Sequence, residues 1–107
     1  MTDFRDKLSE LMRLLRETGD DQSANQVEEA LSGSDESLRA YLVSKELWGG
    51  AGSIADQGGL NGSDEFMSQI KALMIHIGRM QMSMNMINVR TEMWVDAFEH
   101  WRKNLKK

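Results

Sequence analysis

Apolar residues recur in alternating steps of four and three from residue 66 almost to the end of the chain. They are Phe66, Ile70, Leu73, Ile77, Met80, Met84, Ile87, Thr91, Trp94, Phe98, Trp101 and Leu105, with Thr91 the one polar member. That spacing lays a single stripe along a helix. Ser63 is placed to cap its start, so the pattern predicts a helix over 64–105. Such a helix would be about 60 Å long. A compact chain of about 100 residues has a radius of gyration of only about 13 Å. Either the helix breaks, with Asn85–Asn88 as the natural place, or two copies pair along the stripe. The unbroken phase favours continuity and hence a homodimer, with Ile77, Met80, Met84, Ile87, Trp94, Phe98 and Trp101 as its interface seam.

A second periodicity competes within the stripe. Met80-Gln81-Met82-Ser83-Met84-Asn85-Met86 alternates with period two, as a strand would. These are not the β-branched and aromatic residues that strands prefer, and no partner strand is visible. Helix is the better reading.

The first half is chopped into shorter pieces. Phe4, Leu8, Leu11, Met12 and Leu15 mark a helix over 4–18 that Gly19 closes. Val27 and Leu31 mark a second over 22–32, ended by Gly33. Ser34-Asp35-Glu36-Ser37 opens a third over 35–48, with Leu38, Tyr41, Leu42 and Leu47 available to a core. Residues 49–62 are a glycine-rich connector holding six glycines. With no proline and no convincing strand, the expected fold is one all-α domain spanning 1–107: a small helical bundle of three short N-terminal helices, a glycine-rich loop and a long C-terminal helix, continuous or else kinked or broken at 85–88.

Charge and composition then remove several function classes. The net charge is −4, but residues 1–62 carry 12 acidic and 6 basic side chains while residues 63–107 carry 5 and 7. Arg102, Lys103, Lys106 and Lys107 form the basic cluster, and they also suit the C-terminal end of a helix dipole. That footprint is too weak to predict nucleic-acid binding. The chain has no cysteine, so disulfides and thiolate metal sites are excluded. The first residues lack a signal-peptide pattern and no apolar run is long enough to span a bilayer. A soluble, cytoplasmic, bacterial protein is expected.

Three stretches could carry chemistry. Gly50-Ala51-Gly52-Ser53-Ile54-Ala55 matches the loose form of a dinucleotide fingerprint, but that mechanism needs a buried strand before the loop and a long helix after it, and neither is present. The same loop reads more simply as punctuation: Gly49 as a left-handed helix stop, then Ser53 through Asp56 as a capping pattern for a short turn. It could also present Trp48 to a partner, with Gly49, Gly50, Gly52, Ser53 and Asp56 beside it as partner-binding candidates. The methionine run is the second stretch. Met80 and Met84 would share one helix face and Met82 and Met86 another, so the four would not converge on a soft metal, and packing is the better role. His76 and His100 are the third, and no nucleophile or carboxylate is spaced to work with either. No catalytic residue, cofactor or metal is expected.

The segment YLVSKELWGGAGSIADQ, following an amphipathic helix and an acidic connector, resembles small uncharacterised bacterial helical proteins that carry Trp/Tyr-Gly-Gly-x-Gly-Ser-x-x-Asp. The resemblance covers roughly residues 8–60, rests on Trp48, Gly49, Gly50, Gly52, Ser53 and Asp56, and implies no particular activity. Through Trp48-Gly49-Gly50 at mid-chain the sequence is also similar to the secreted Trp-x-Gly helical hairpins. Those have two long helices, whereas Gly19 and Gly33 divide the first half here.

The function these features support is a small interaction protein, accessory or immunity-type, that binds a protein partner and self-associates through its C-terminal helix. Two alternatives come from other classes. One is a ligand-binding or enzymatic role for loop 48–56. The other is attachment to a membrane surface through Trp94, Phe98, Trp101 and the basic tail.

Overall fold

The computed structural model describes residues 2–49, 53–54 and 64–105, apart from the side chains of 102, 104 and 105. The fold is all-α, with no strand among the described residues. Helix α1 (Thr2–Glu17) buries Phe4, Leu8, Leu11, Leu14 and Leu15 on one stripe. It ends where Gly19 turns left-handed at φ +83°. There the N–H of Asp20 donates to Leu15 O at 2.9 Å and the N–H of Gly19 to Arg16 O at 3.0 Å, a Schellman closure. Asp20 then serves the next helix: its carboxylate accepts from Ser23 N–H at the start of α2 (Asp21–Ser32).

Ser34 caps α3 (Asp35–Leu42) by accepting from Ser37 N–H. Arg5 on α1 fastens this junction. Its guanidinium donates to Leu31 O at 2.8 Å, Gly33 O at 3.2 Å and the Asp35 carboxylate at 2.8 Å. The third helix does not run through to residue 48 as expected. It stops at Leu42, Ser44 takes an extended conformation, and α4 (Lys45–Trp48) follows as a single turn. Ser44 Oγ donates to Tyr41 O at 2.6 Å, the local competition with helix bonds that serine offers.

In the C-terminal stripe the break at Asn85–Asn88 is realised, and the preferred continuous helix is corrected. The stripe is two helices, α5 (Asp64–Ser83) and α6 (Thr91–Leu105), joined by residues 84–90. Asn85 sits at φ +56°, Asn85 N–H donates to Met82 O, and Met86 N–H donates to Gln81 O at 2.8 Å. This is the closure seen at Gly19, with asparagine in the left-handed position that it tolerates better than most residues. Asn88 starts α6: its side-chain carbonyl accepts from Arg90 N–H at 2.8 Å, and its own N–H donates to Thr91 Oγ1 at 3.0 Å. The polar member of the stripe is therefore the hydroxyl that opens the second helix.

Helix α6 folds back antiparallel on α5. Gly78 approaches Val95, Arg79 pairs with Glu99, and the Lys71 ammonium lies over the rings of Phe98 and Trp101 at 4.5 and 5.2 Å. Helix α1 packs on α2 and α5. The radius of gyration is 12.7 Å and the longest dimension 41 Å, which leaves no room for a 60 Å rod.

Candidate functional site

Trp48 was the sequence's most conspicuous candidate for presentation to a partner, and the fold buries it completely. Its Nε1 donates to Gln81 Oε1 at 2.7 Å. Gln81 is also fully buried and donates from Nε2 to Leu42 O at 2.7 Å and to Met86 O at 2.8 Å. Leu42 O belongs to the last turn of α3, and Met86 O lies in the connector after α5. One glutamine thus satisfies carbonyls freed at two helix ends and the indole of α4. Neighbouring Asn88 repeats the device on the surface, donating from Nδ2 to Val43 O at 3.0 Å.

The rest of the candidate loop divides. Gly49 is buried with φ −71° and ψ −166°, so it is not the left-handed stop expected of it. Its requirement is space: a Cβ there would lie 2.4 Å from the carbonyl oxygen of Lys45. Its own carbonyl accepts from Ser53 Oγ at 2.8 Å and from Trp94 Nε1 at 3.2 Å. Ser53 and Ile54 are buried. Gly50, Gly52 and Asp56 lie outside the described residues. What is described of this stretch anchors α4 inward.

The seam residues part company as well. Ile77 and Phe98 are buried in the core of one chain, with Met80 and Trp94 half-buried against it and Trp101 half-buried beside Lys71. Met84 and Ile87 leave the helix and are exposed. The stripe is covered by α5 and α6 folding on each other, which removes the geometric reason for a dimer. Of the three aromatic residues that the membrane reading used, Phe98 is buried and Trp94 packs half-buried against the core, while Trp101 is half-buried. Of the methionine run, Met80, Met82 and Met86 pack against the core. His76 and His100 are exposed, and no cluster of three His, Cys, Asp or Glu able to hold a metal occurs among the described residues. Burial lowers the pKa of the Lys71 ammonium between its two rings.

One surface feature went unnoticed in the sequence. Among the described residues, the large apolar side chains that the fold leaves exposed are Val43, Met84, Ile87, Val89 and Met93. Four of them lie in or just after the 84–90 connector, and the fifth is the residue whose carbonyl Asn88 holds. Val89 is 96% exposed, a knob at the tip of the turn. Spacing could not reveal this set, because Met84 and Ile87 are in phase with the buried stripe.

No helix among the described residues is long and apolar enough to cross a membrane. Neither a protein-family model, nor a curated protein, nor a solved structure matches the chain.

Proposed function

We propose that this chain is an interaction protein that binds another protein through the apolar surface around the α5–α6 connector. The observation that carries the reading is that Val43, Met84, Ile87, Val89 and Met93 are exposed, four of them in or just after the connector and Val43 tied to it through Asn88. Apolar side chains grouped on a surface mark interaction sites far more often than ones scattered singly. Methionines add adaptability, because an unbranched thioether repacks against differing contours.

The occupant is a partner with an apolar groove that receives Val89. The patch exposes on the order of a few hundred Å², short of the about 800 Å² per partner of a standard stable interface. Two such convex patches pressed together would bury little, whereas a concave partner surrounds the knob. The absence of cysteine suits a reducing compartment, and the cytoplasm is where we place the interaction.

A photo-reactive amino acid at position 89, with exposed Asn25 on α2 as the control position, tests the proposal in cells. The expected result is one adduct of defined mass from position 89 and none from 25. The purified partner should then bind the wild type at least about tenfold more tightly than Val89→Asp, a loss of about 1.4 kcal/mol, with the melting temperature unchanged. Identical adducts from both positions would overturn the reading. So would an adduct of twice the chain's own mass, which would identify a second copy as the occupant.

A further inference from the structure

The α5–α6 connector, Met84-Asn85-Met86-Ile87-Asn88-Val89-Arg90, contains neither glycine nor proline, so its composition does not forbid a helix. It turns because Asn85 takes φ +56° and because Asn88 caps α6. Asn85 is the one non-glycine residue with positive φ among the described residues. That conformation is less favourable than the helical one, even for asparagine. The two asparagines therefore decide between a turn and a continuous helix.

Three further observations say what the continuous form would do. The connector is one heptad long, so straightening it leaves the apolar stripe of α5 in phase with that of α6. Met84 and Ile87 belong to that stripe, yet the turn leaves them 52% and 40% exposed. And the antiparallel register is centred on them: Gly78 approaches Val95, and these two residues are equidistant in sequence from the Met86–Ile87 bond. Were two copies to open and exchange α6, the contacts of Gly78 with Val95, Arg79 with Glu99 and Lys71 with Phe98 would all re-form between chains. The two-fold axis would then pass beside Met84 and Ile87, and these would meet their counterparts and leave water. Exchange of an identical element is a low-cost route to a dimer, because only the hinge changes.

We propose that the α5–α6 connector is a hinge: Asn85 and Asn88 hold the chain closed as a monomer, and a connector that becomes helical lets two copies exchange α6 in an antiparallel pair. The partner in this exchange is a second copy of the chain. In the wild type the closed form prevails. The exchanged form covers Met84 and Ile87, so opening the hinge withdraws part of the connector surface from any other protein.

Asn85→Ala with Asn88→Ala removes both the tolerance of the left-handed turn and the cap. At equal concentration, sedimentation velocity should show a dimer fraction at least about tenfold above that of the wild type. Asn85→Gly, which accepts positive φ freely, should stay monomeric. A cross-link separates exchange from side-by-side pairing. The chain has no cysteine, so Arg79→Cys with Glu99→Cys supplies the only thiols for a short bis-maleimide. Closed chains are joined within themselves and run at the chain mass of 12.2 kDa on a denaturing gel, whereas exchanged chains are joined to each other and run at twice that mass. Should the double alanine variant not fold, Asn85→Ala alone, at an exposed position, gives the same readouts. No other protein enters these measurements, so they can fail without touching the partner reading of the connector. The proposal is overturned if the alanine variants remain monomeric, if Asn85→Gly dimerises as readily as they do, or if their dimers are cross-linked only within chains.

Discussion

The indole N–H of Trp48 and the side-chain carbonyl of Gln81 meet at 2.7 Å across 33 residues of sequence, and neither side chain exposes any surface. This bond ties α4 to the end of α5 just where the long stripe must break. Gln81 uses both of its amide hydrogens and its carbonyl here, so it brings no unpaired polar atom into the core.

Replacing Gln81 by leucine keeps the volume and removes all three bonds. Trp48 Nε1 and Leu42 O would then be buried without partners, each at about 1–3 kcal/mol, and the half-buried Met86 O would lose its bond as well. A total loss of about 3 kcal/mol or more is expected, read as a lower urea midpoint with an unchanged slope. Trp48→Phe should cost less, because Gln81 keeps both of its carbonyl partners. A Gln81→Leu variant as stable as wild type would show that the network contributes nothing.

Gly78 sets how closely the two long helices approach. A Cβ at that position would lie 2.4 Å from Val95 Cγ2 and 3.2 Å from the Trp48 ring. Gly78→Ala should therefore destabilise by about 1–3 kcal/mol through overpacking, despite alanine's better helix propensity. In a double-mutant cycle with Val95→Ala, the pair should cost at least about 0.5 kcal/mol less than the sum of the two single changes. Strict additivity would mean that the helices do not meet there.

The Arg5 guanidinium beside Asp35 holds its carboxyl below the usual carboxylate range. A depressed native pKa gives stability that is present above the unfolded value of about 3.9 and lost as pH falls through the native one. The melting-temperature gap between wild type and Asp35→Asn should be constant near neutral pH and close below the carboxylate range. Because the pair is solvent-exposed, salt should narrow the gap as well. A gap that persists in acid would mean that the carboxylate's charge is irrelevant to this junction.

The helices and the stripe could be read from spacing, but the break could not, for a reason of arithmetic. The connector between Ser83 and Thr91 is seven residues long, one full heptad. Met84, Ile87 and Thr91 therefore kept the phase of the stripe while the chain left the helix and turned back. Asn85 and Asn88 signalled the break correctly, one by tolerating the left-handed turn and the other by capping. Gln81 gave no signal, since a polar residue off the stripe reads as solvent-facing. Its role depends on the carbonyls freed at Leu42, and those exist because Ser44 stops α3 early. Trp48 misled in the same way: a tryptophan beside glycines resembles an exposed anchor until the partner for its N–H is found 33 residues on.

Closure of the stripe within a single chain leaves Met84, Ile87 and Val89 of the connector exposed, and the proposed partner surface depends on it. Sedimentation velocity of the wild-type chain at about 50 μM, far above the dissociation constants of typical stable complexes, tests that claim most directly. A single species near the chain mass of 12.2 kDa is predicted. A stable species of twice that mass, dissociated by Ile77→Asp, would show that the stripe is buried between two copies and would contradict the account.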